Sequence, residues 1–395
     1  MLKHLVRSRG LKRAFPRKEW TGTSFTYITS FTCIFEFMIN IVITLALIIC
    51  LLWAVVWKAK PLKANDGIFD KSQTTTLKGI SSIIVIFVHI PLLYQNTLQD
   101  MVGSFAYVAV TCFFMISAYG MQYSLDNNAG YLNRFPVNRL AALLIPNIVI
   151  NIVVFLAYIA LFSYRPQSFD KAPTLSILWE INSYVVILLE YCLLFYIVSI
   201  LSKAYKWKQY VGDIILITAV CGSSLFLYLS ESESASGTPP SGWCYERLGL
   251  VWGLLLYRFY KPVCHWLQAH HVVMKLVSFT VSSLILGLLY LKYKECWFWG
   301  QYMLKIVLGL SIITVYLLIT GKIRLFNPIT EFLGKISYET YLAHYFIGSL
   351  LIIAFPQLQS GIYIWTIVVV TLLFSYFINK IDRRAVNFIK SLKLK

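Results

Sequence analysis

In an apolar chain, chemistry shows at the few positions where an ionisable side chain interrupts an apolar run. Of 395 residues, 58% are hydrophobic and 13% charged. Within or beside the apolar stretches stand Glu36, Lys78, His89, Glu190, Glu246 with Arg247, Lys305 and His344. An ionisable group inside a membrane is costly, so each needs a partner or a purpose. The segment TLKGISSIIVIFVHIPLLY carries Lys78 and, eleven residues later, His89. On an α-helix that separation is about 16 Å and returns to within about 20° of the same face, with Ser82 between them. A cation at one mouth of a span and an imidazole deep within it suit anion binding coupled to proton transfer. A snorkelling lysine and a histidine hydrogen-bonded inside a bundle would use the same two residues.

The helices that carry these residues follow from composition. A soluble domain carries roughly 25% charged residues, and this chain has too little charge to cover a water-facing surface. Eleven apolar stretches run over 26–57, 77–94, 104–124, 140–162, 177–201, 211–229, 243–260, 273–291, 302–320, 337–355 and 362–379. The expected fold is an all-α polytopic transmembrane helix bundle, a ten-helix core with one N-terminal helix. The expected divisions are an arm, extra helix and linker (1–76), the membrane domain (77–379) and a basic tail (380–395). A soluble enzyme, a secreted disulfide scaffold and a disordered protein are excluded. The net charge of +18 lies in short runs between the apolar stretches, the distribution of topology determinants and not of a nucleic-acid groove. The eight cysteines form no CxxC and no zinc spacing. His265, His270 and His271 lack the further ligands a metal site needs, so no metal is expected.

Counting fixes the orientation. The loops 58–76, 125–139, 202–210, 258–275 and 321–336, with the tail from Lys380, hold 21 Lys and Arg, and the alternate loops hold 4. The positive-inside rule makes the first group cytoplasmic. The first apolar stretch then conflicts with its flank: one crossing by 26–57 leaves an arm with seven basic residues outside. A start at Met38 removes the conflict. An uncleaved anchor behind an unusual arm is the other reading.

Four segments, in order, resemble the acyltransferase-3 family of integral-membrane acyltransferases. TLKGISSIIVIFVHI is similar to the opening of that family's core, where Arg is followed at the same spacing by His. VAVTCFFMISAYGMQYS resembles its Phe-Phe-x-x-Ser-Gly segment, and YLNRFPVNRLAALLIPN its basic loop before a proline-containing helix. FLGKISYETYLAHYFI is similar to its Ser-Tyr-x-x-Tyr-Leu-x-His signature. The departures are specific: Lys78 stands for the usual Arg, replacing a bidentate fork by a point charge. Ser117 is followed by Ala118, and Pro136 separates Arg134 from Arg139.

The resemblance implies acyl-CoA as co-substrate, with no permanently bound cofactor. It assigns His89 as general base, and Lys78, Arg134 and Arg139 as donor-binding residues. Ser117, Glu190, Tyr338, Tyr341 and His344 become cavity or acceptor candidates. Tyr341 and His344 share a helix face, lining the cavity or simply packing. Glu190 would orient His89, pair with an arginine or bind an acceptor hydroxyl. Glu246, Arg247 and Lys305 read as structural ion pairs. The expected function is O-acylation, with acetyl the leading group, of a cell-surface polysaccharide or its lipid-linked precursor at the cytoplasmic membrane. The alternatives are a transporter or flippase for an anionic or lipid-linked substrate, and an inactive scaffold. Cysteines introduced into 202–210 and after Lys380 should resist labelling from outside intact cells, whereas one in 230–242 should label. Outside labelling of the tail would invert the topology.

Overall fold

The computed structural model describes residues 23–62, 67–169, 171–232, 243–269 and 271–392, with side chains from Phe37 onward except at 231, 232 and 392. The expectations placed on the arm, Glu36, His270 and 233–242 fall outside the described residues and side chains. The chain is all-α. Its helices are α1 (Thr23–Val56), α2 (Lys71–Val88), α3 (Thr97–Gly103), α4 (Ala106–Asn127), α5 (Tyr131–Tyr164), α6 (Ser183–Ala204), α7 (Gln209–Ser232), α8 (Gly249–Arg258), α9 (Tyr260–Gln268), α10 (Val272–Tyr293), α11 (Leu304–Thr320), α12 (Pro328–Lys335), α13 (Ser337–Ala354) and α14 (Ser360–Leu392). Among the described residues the only strands are β1 (Lys60–Pro61) and β2 (Ile323–Arg324), which pair antiparallel. The ten core stretches correspond to α2, α4 to α8, α10, α11, α13 and α14.

Three boundaries differ from the sequence reading, each for a local reason. Helix α2 begins at Lys71, because the Asp70 carboxylate caps it by accepting the Gln73 N–H at 2.8 Å and the Ser72 hydroxyl at 2.7 Å. It stops at His89 because Pro91 has no N–H and excludes Ile90 from helical geometry; the His89 N–H closes the last turn on Ile86 O at 3.2 Å. Helix α5 begins at Tyr131, after Gly130 turns the chain at φ 76°, so Arg134 and Arg139 are helical and not in a loop. Helix α14 runs past the expected end at 379, since no Gly or Pro interrupts 362–392. The basic tail is its extension.

Among the described residues, eight helical segments are long and apolar enough to cross a membrane. The core helices absent from that group are α2, α8 and α13, which stand inside it. Helix α2 packs against α4, α12 and α13, and α13 also against α5 and α14, while α8 lies on α4 and α7. His89, at the end of α2, and His344, on α13, are thus carried by helices packed among others. The approach of α8 to α4 depends on Gly249 and Gly253. They are four apart on one face, where an added Cβ would run into the carbonyls of Thr111 and Met115. Likewise Gly79 and Gly334 let α2 lie against α12, each with no room for a Cβ.

The two ends of the bundle gather the two groups of loops that the charge count separates. At one end Arg258 donates to both Asp213 oxygens, at 2.8 and 2.9 Å, and to Asp126 at 3.1 Å. Asn327 Nδ2 donates there to the carbonyls of Ala54 and Trp57, and Asn379 to Lys335 O. At the other end the Ser360 hydroxyl donates to Tyr94 O at 2.7 Å, and Arg165 to the carbonyls of Ile353 and Ala354 at 3.2 and 3.1 Å. Gly253→Ala should cost about 1–3 kcal/mol through overpacking, read as a lowered unfolding temperature in detergent. Gly222→Ala is the control: it has nothing within 4 Å of its Cβ position and should be neutral or slightly stabilising.

Candidate active site

The two membrane histidines meet. His344 Nε2 lies 3.0 Å from His89 Nδ1, with ring centroids 4.7 Å apart. Their backbones dictate the wiring. His344 Nδ1 is 3.3 Å from Thr340 O, and His89 Nδ1 is 3.1 Å from Val85 O. A carbonyl only accepts, so with both rings neutral each Nδ1 carries a proton. His344 Nε2 then accepts from His89 Nδ1–H, which is shared with Val85 O. The proton acceptor of the pair is His89 Nε2. His344 is 3% exposed and His89 half-buried; the first orients the second.

Both line a cavity of about 270 Å³ with Asn147, Asn151 and Glu180. Its far wall is the segment entering α6. Asn147 and Asn151, one turn apart on α5, both donate to Glu180 O, at 2.9 and 2.6 Å, and the Asn182 N–H donates back to Asn147 Oδ1 at 3.2 Å. Asn182 then caps α6 by accepting the Tyr184 N–H at 3.0 Å. Non-helical backbone at this depth is tolerated because it borders a cavity and its polar groups are bonded. Helix α2 breaks at His89 beside the same cavity.

The structure sorts the remaining sequence candidates. Tyr341 lines the cavity and is buried, with its ring 5.6 Å from Phe113 and 4.9 Å from Tyr184. Tyr338 instead donates to Leu143 O at 2.8 Å, beside the turn of α5 that Pro146 interrupts. Ser117 donates to Phe113 O at 2.8 Å and Ser82 to Gly79 O at 2.8 Å, each within its own helix. Glu190 does not reach His89. Seven residues into α6, about 10 Å beyond its start, it lines a separate groove of about 430 Å³ between α5 and α6. The role of orienting His89 belongs to His344.

Arg139 lines that same groove, donating to the Tyr131 hydroxyl at 3.1 Å with its guanidinium 5.7 Å from the Phe135 ring. It lies within electrostatic reach of Lys78. Arg134 is exposed, because five residues on a helix rotate its side chain about 140° from that of Arg139. Ile181 lines both the groove and the His89 cavity, so this residue borders both spaces. Among the described residues no close ion pair joins Glu246 to Lys305, although the two lie within electrostatic reach. The Lys305 ammonium donates to the Tyr245 hydroxyl at 2.7 Å and faces the Tyr107 and Tyr290 rings, a cation–aromatic arrangement.

Glu180 is the carboxylate that sequence reasoning missed. Hydropathy merges it into the stretch 177–201. Its signals were Asn147 and Asn151 at i, i+4 on an apolar helix, which need a polar partner, and Asn182 as a helix cap.

The chain is thus a multi-pass helical bundle with an oriented imidazole at an internal cavity and a guanidinium in a neighbouring groove. Residues 75–380 match the acyltransferase-3 family model, described as an acyltransferase domain. The chain belongs to that family and is a membrane acyltransferase. No curated protein and no solved structure compared with it matches. His344→Ala should lower the transfer rate about tenfold, the worth of one oriented hydrogen bond of roughly 1–1.5 kcal/mol, with membrane insertion retained. His344→Gln, whose amide oxygen also accepts from His89 Nδ1–H, should retain more activity than His344→Ala in the same assay.

Proposed function

We propose that the protein moves a short acyl group, foremost acetyl, from acyl-CoA to a hydroxyl of a cell-surface polysaccharide or its lipid-linked precursor. The observation that carries this reading is the imidazole pair at a cavity beside a groove that holds a guanidinium. Acyl-CoA is a cytoplasmic polyanion with a thioester on a long arm. Lys78 and Arg139, on the side that the charge count makes cytoplasmic, suit its phosphates, and Arg134 adds positive charge at that surface. The groove past Ile181 suits the arm, and the cavity suits the thioester beside His89.

Transfer then needs few parts. The acceptor hydroxyl gives its proton to His89 Nε2 as its oxygen attacks the thioester carbonyl carbon. A carbon–oxygen bond forms, the carbon–sulfur bond breaks, and the same proton passes to the departing thiolate, releasing CoA. His344 holds the His89 ring through this exchange. The protein sits in the cytoplasmic membrane with its C-terminus inside.

His89→Ala should lower acetyl transfer by about 10²–10⁴-fold while its membrane level stays unchanged. Lys78→Ala should chiefly raise KM for acetyl-CoA, by the roughly 1.5–3 kcal/mol of a charge-assisted contact, and Lys78→Arg should retain activity. Release of CoA by purified protein measures all three. Parental activity in His89→Ala would make this histidine a packing residue, and no CoA release by the parent chain would favour a transporter or scaffold.

A further inference from the structure

Glu180 carries a side chain that the fold does not use. Its backbone carbonyl is the acceptor that Asn147 and Asn151 hold, whereas its carboxylate makes no hydrogen bond or ion pair within the described residues. That carboxylate belongs to a half-buried residue lining the His89 cavity. It lies within electrostatic reach of Tyr345, whose ring stands edge-on to His89 at 5.9 Å. An anionic oxygen at membrane depth needs a donor. The protein amides nearby are committed: both Asn amide groups donate to Glu180 O, and Asn147 Oδ1 accepts from Asn182. Ser183 and Trp243 also line the cavity, adding a hydroxyl and an indole.

Resting on the acyl-transfer reading above, we propose that Glu180 is the acceptor anchor, and that the acceptor is a neutral sugar ring with neighbouring hydroxyls. Those hydroxyls are donors, and a carboxylate accepts two of them at once. Held on Glu180 and stacked on Trp243, the ring presents a further hydroxyl to His89 Nε2. A carboxylate discriminates strongly between a polyol and an alcohol of equal apolar length, because only the polyol satisfies it. An acidic sugar at this position brings a second negative charge against Glu180 and is disfavoured.

The test uses the full chain in lipid nanodiscs with acetyl-CoA and three acceptors: octyl β-glucoside, methyl β-glucoside and 1-octanol. The parent chain should acetylate a glucoside in preference to 1-octanol. Preference for the octyl glycoside marks a membrane-borne acceptor, and equal use of both glycosides marks a water-borne one. Glu180→Ala should lower the ratio of kcat/KM for the preferred glucoside over 1-octanol about tenfold or more, mainly through KM, and Glu180→Gln should lower it less. The backbone clamp survives both substitutions, so a purely structural role would depress all acceptors together and leave the ratio where it was. An unchanged ratio, or a parent chain that prefers no glucoside to 1-octanol, overturns the proposal. His89→Ala working at the parental rate would overturn the general-base assignment instead, whatever Glu180 does.

Discussion

The hydrogen bond from His89 Nδ1 to His344 Nε2 is the interaction on which the rest of the site depends. It joins the end of α2 to α13 in the interior of an apolar bundle, where a hydrogen bond is stronger than in water. Each ring is fixed a second time by a carbonyl of its own helix, Val85 for one and Thr340 for the other. With both rings neutral, the two carbonyls therefore set the tautomers and leave His89 Nε2 as the unprotonated nitrogen outside the pair's own bond. Without His344, His89 would keep its place in the chain but lose the partner that fixes its ring. With it, the histidine is a base of defined direction.

The bundle is arranged to make that bond and to leave a cavity beside it. Helices α2, α8 and α13 are the inner elements, and the more apolar helices surround them. Glycines at the α2–α12 and α4–α8 contacts bring backbones close, because packing in a membrane comes from close approach and not from excluding water. Where the chain leaves helical geometry at depth, it does so beside the cavity. Pro91 ends α2 just past His89, and the segment through Glu180 and Asn182 enters α6 under the hold of two asparagines. These two irregular places supply the base and the wall that faces it.

Much of this was legible in the sequence, and the limits are physical. The ten core helices and their two-sided loops follow from hydropathy and from where lysine and arginine fall, since burial in lipid leaves few other solutions. Helical period puts Lys78 and His89 on one face, whereas α2 ends at Val88 and His89 stands at its cap. His344 could be singled out as a membrane histidine, yet its contact with His89 joins residues 255 apart in sequence, which no local spacing encodes. Glu190 drew attention as a mid-span carboxylate, but the site is faced by Glu180. The reason is that α6 starts at Ser183, and hydropathy alone does not register a short descent of irregular chain. Arg134 and Arg139 read as a pair until the helix start at Tyr131 turned them to different faces.

His344 acts through His89. A double-mutant cycle on the purified chain tests it, comparing CoA release by His89→Ala, His344→Ala and the double variant. If His344 serves only to orient the His89 ring, the double variant should be no slower than His89→Ala alone, because the residue being oriented is already gone. Losses that simply multiply, with His344→Ala slowing the His89→Ala enzyme by the same factor as the parent, would contradict the account and make the two histidines independent contributors.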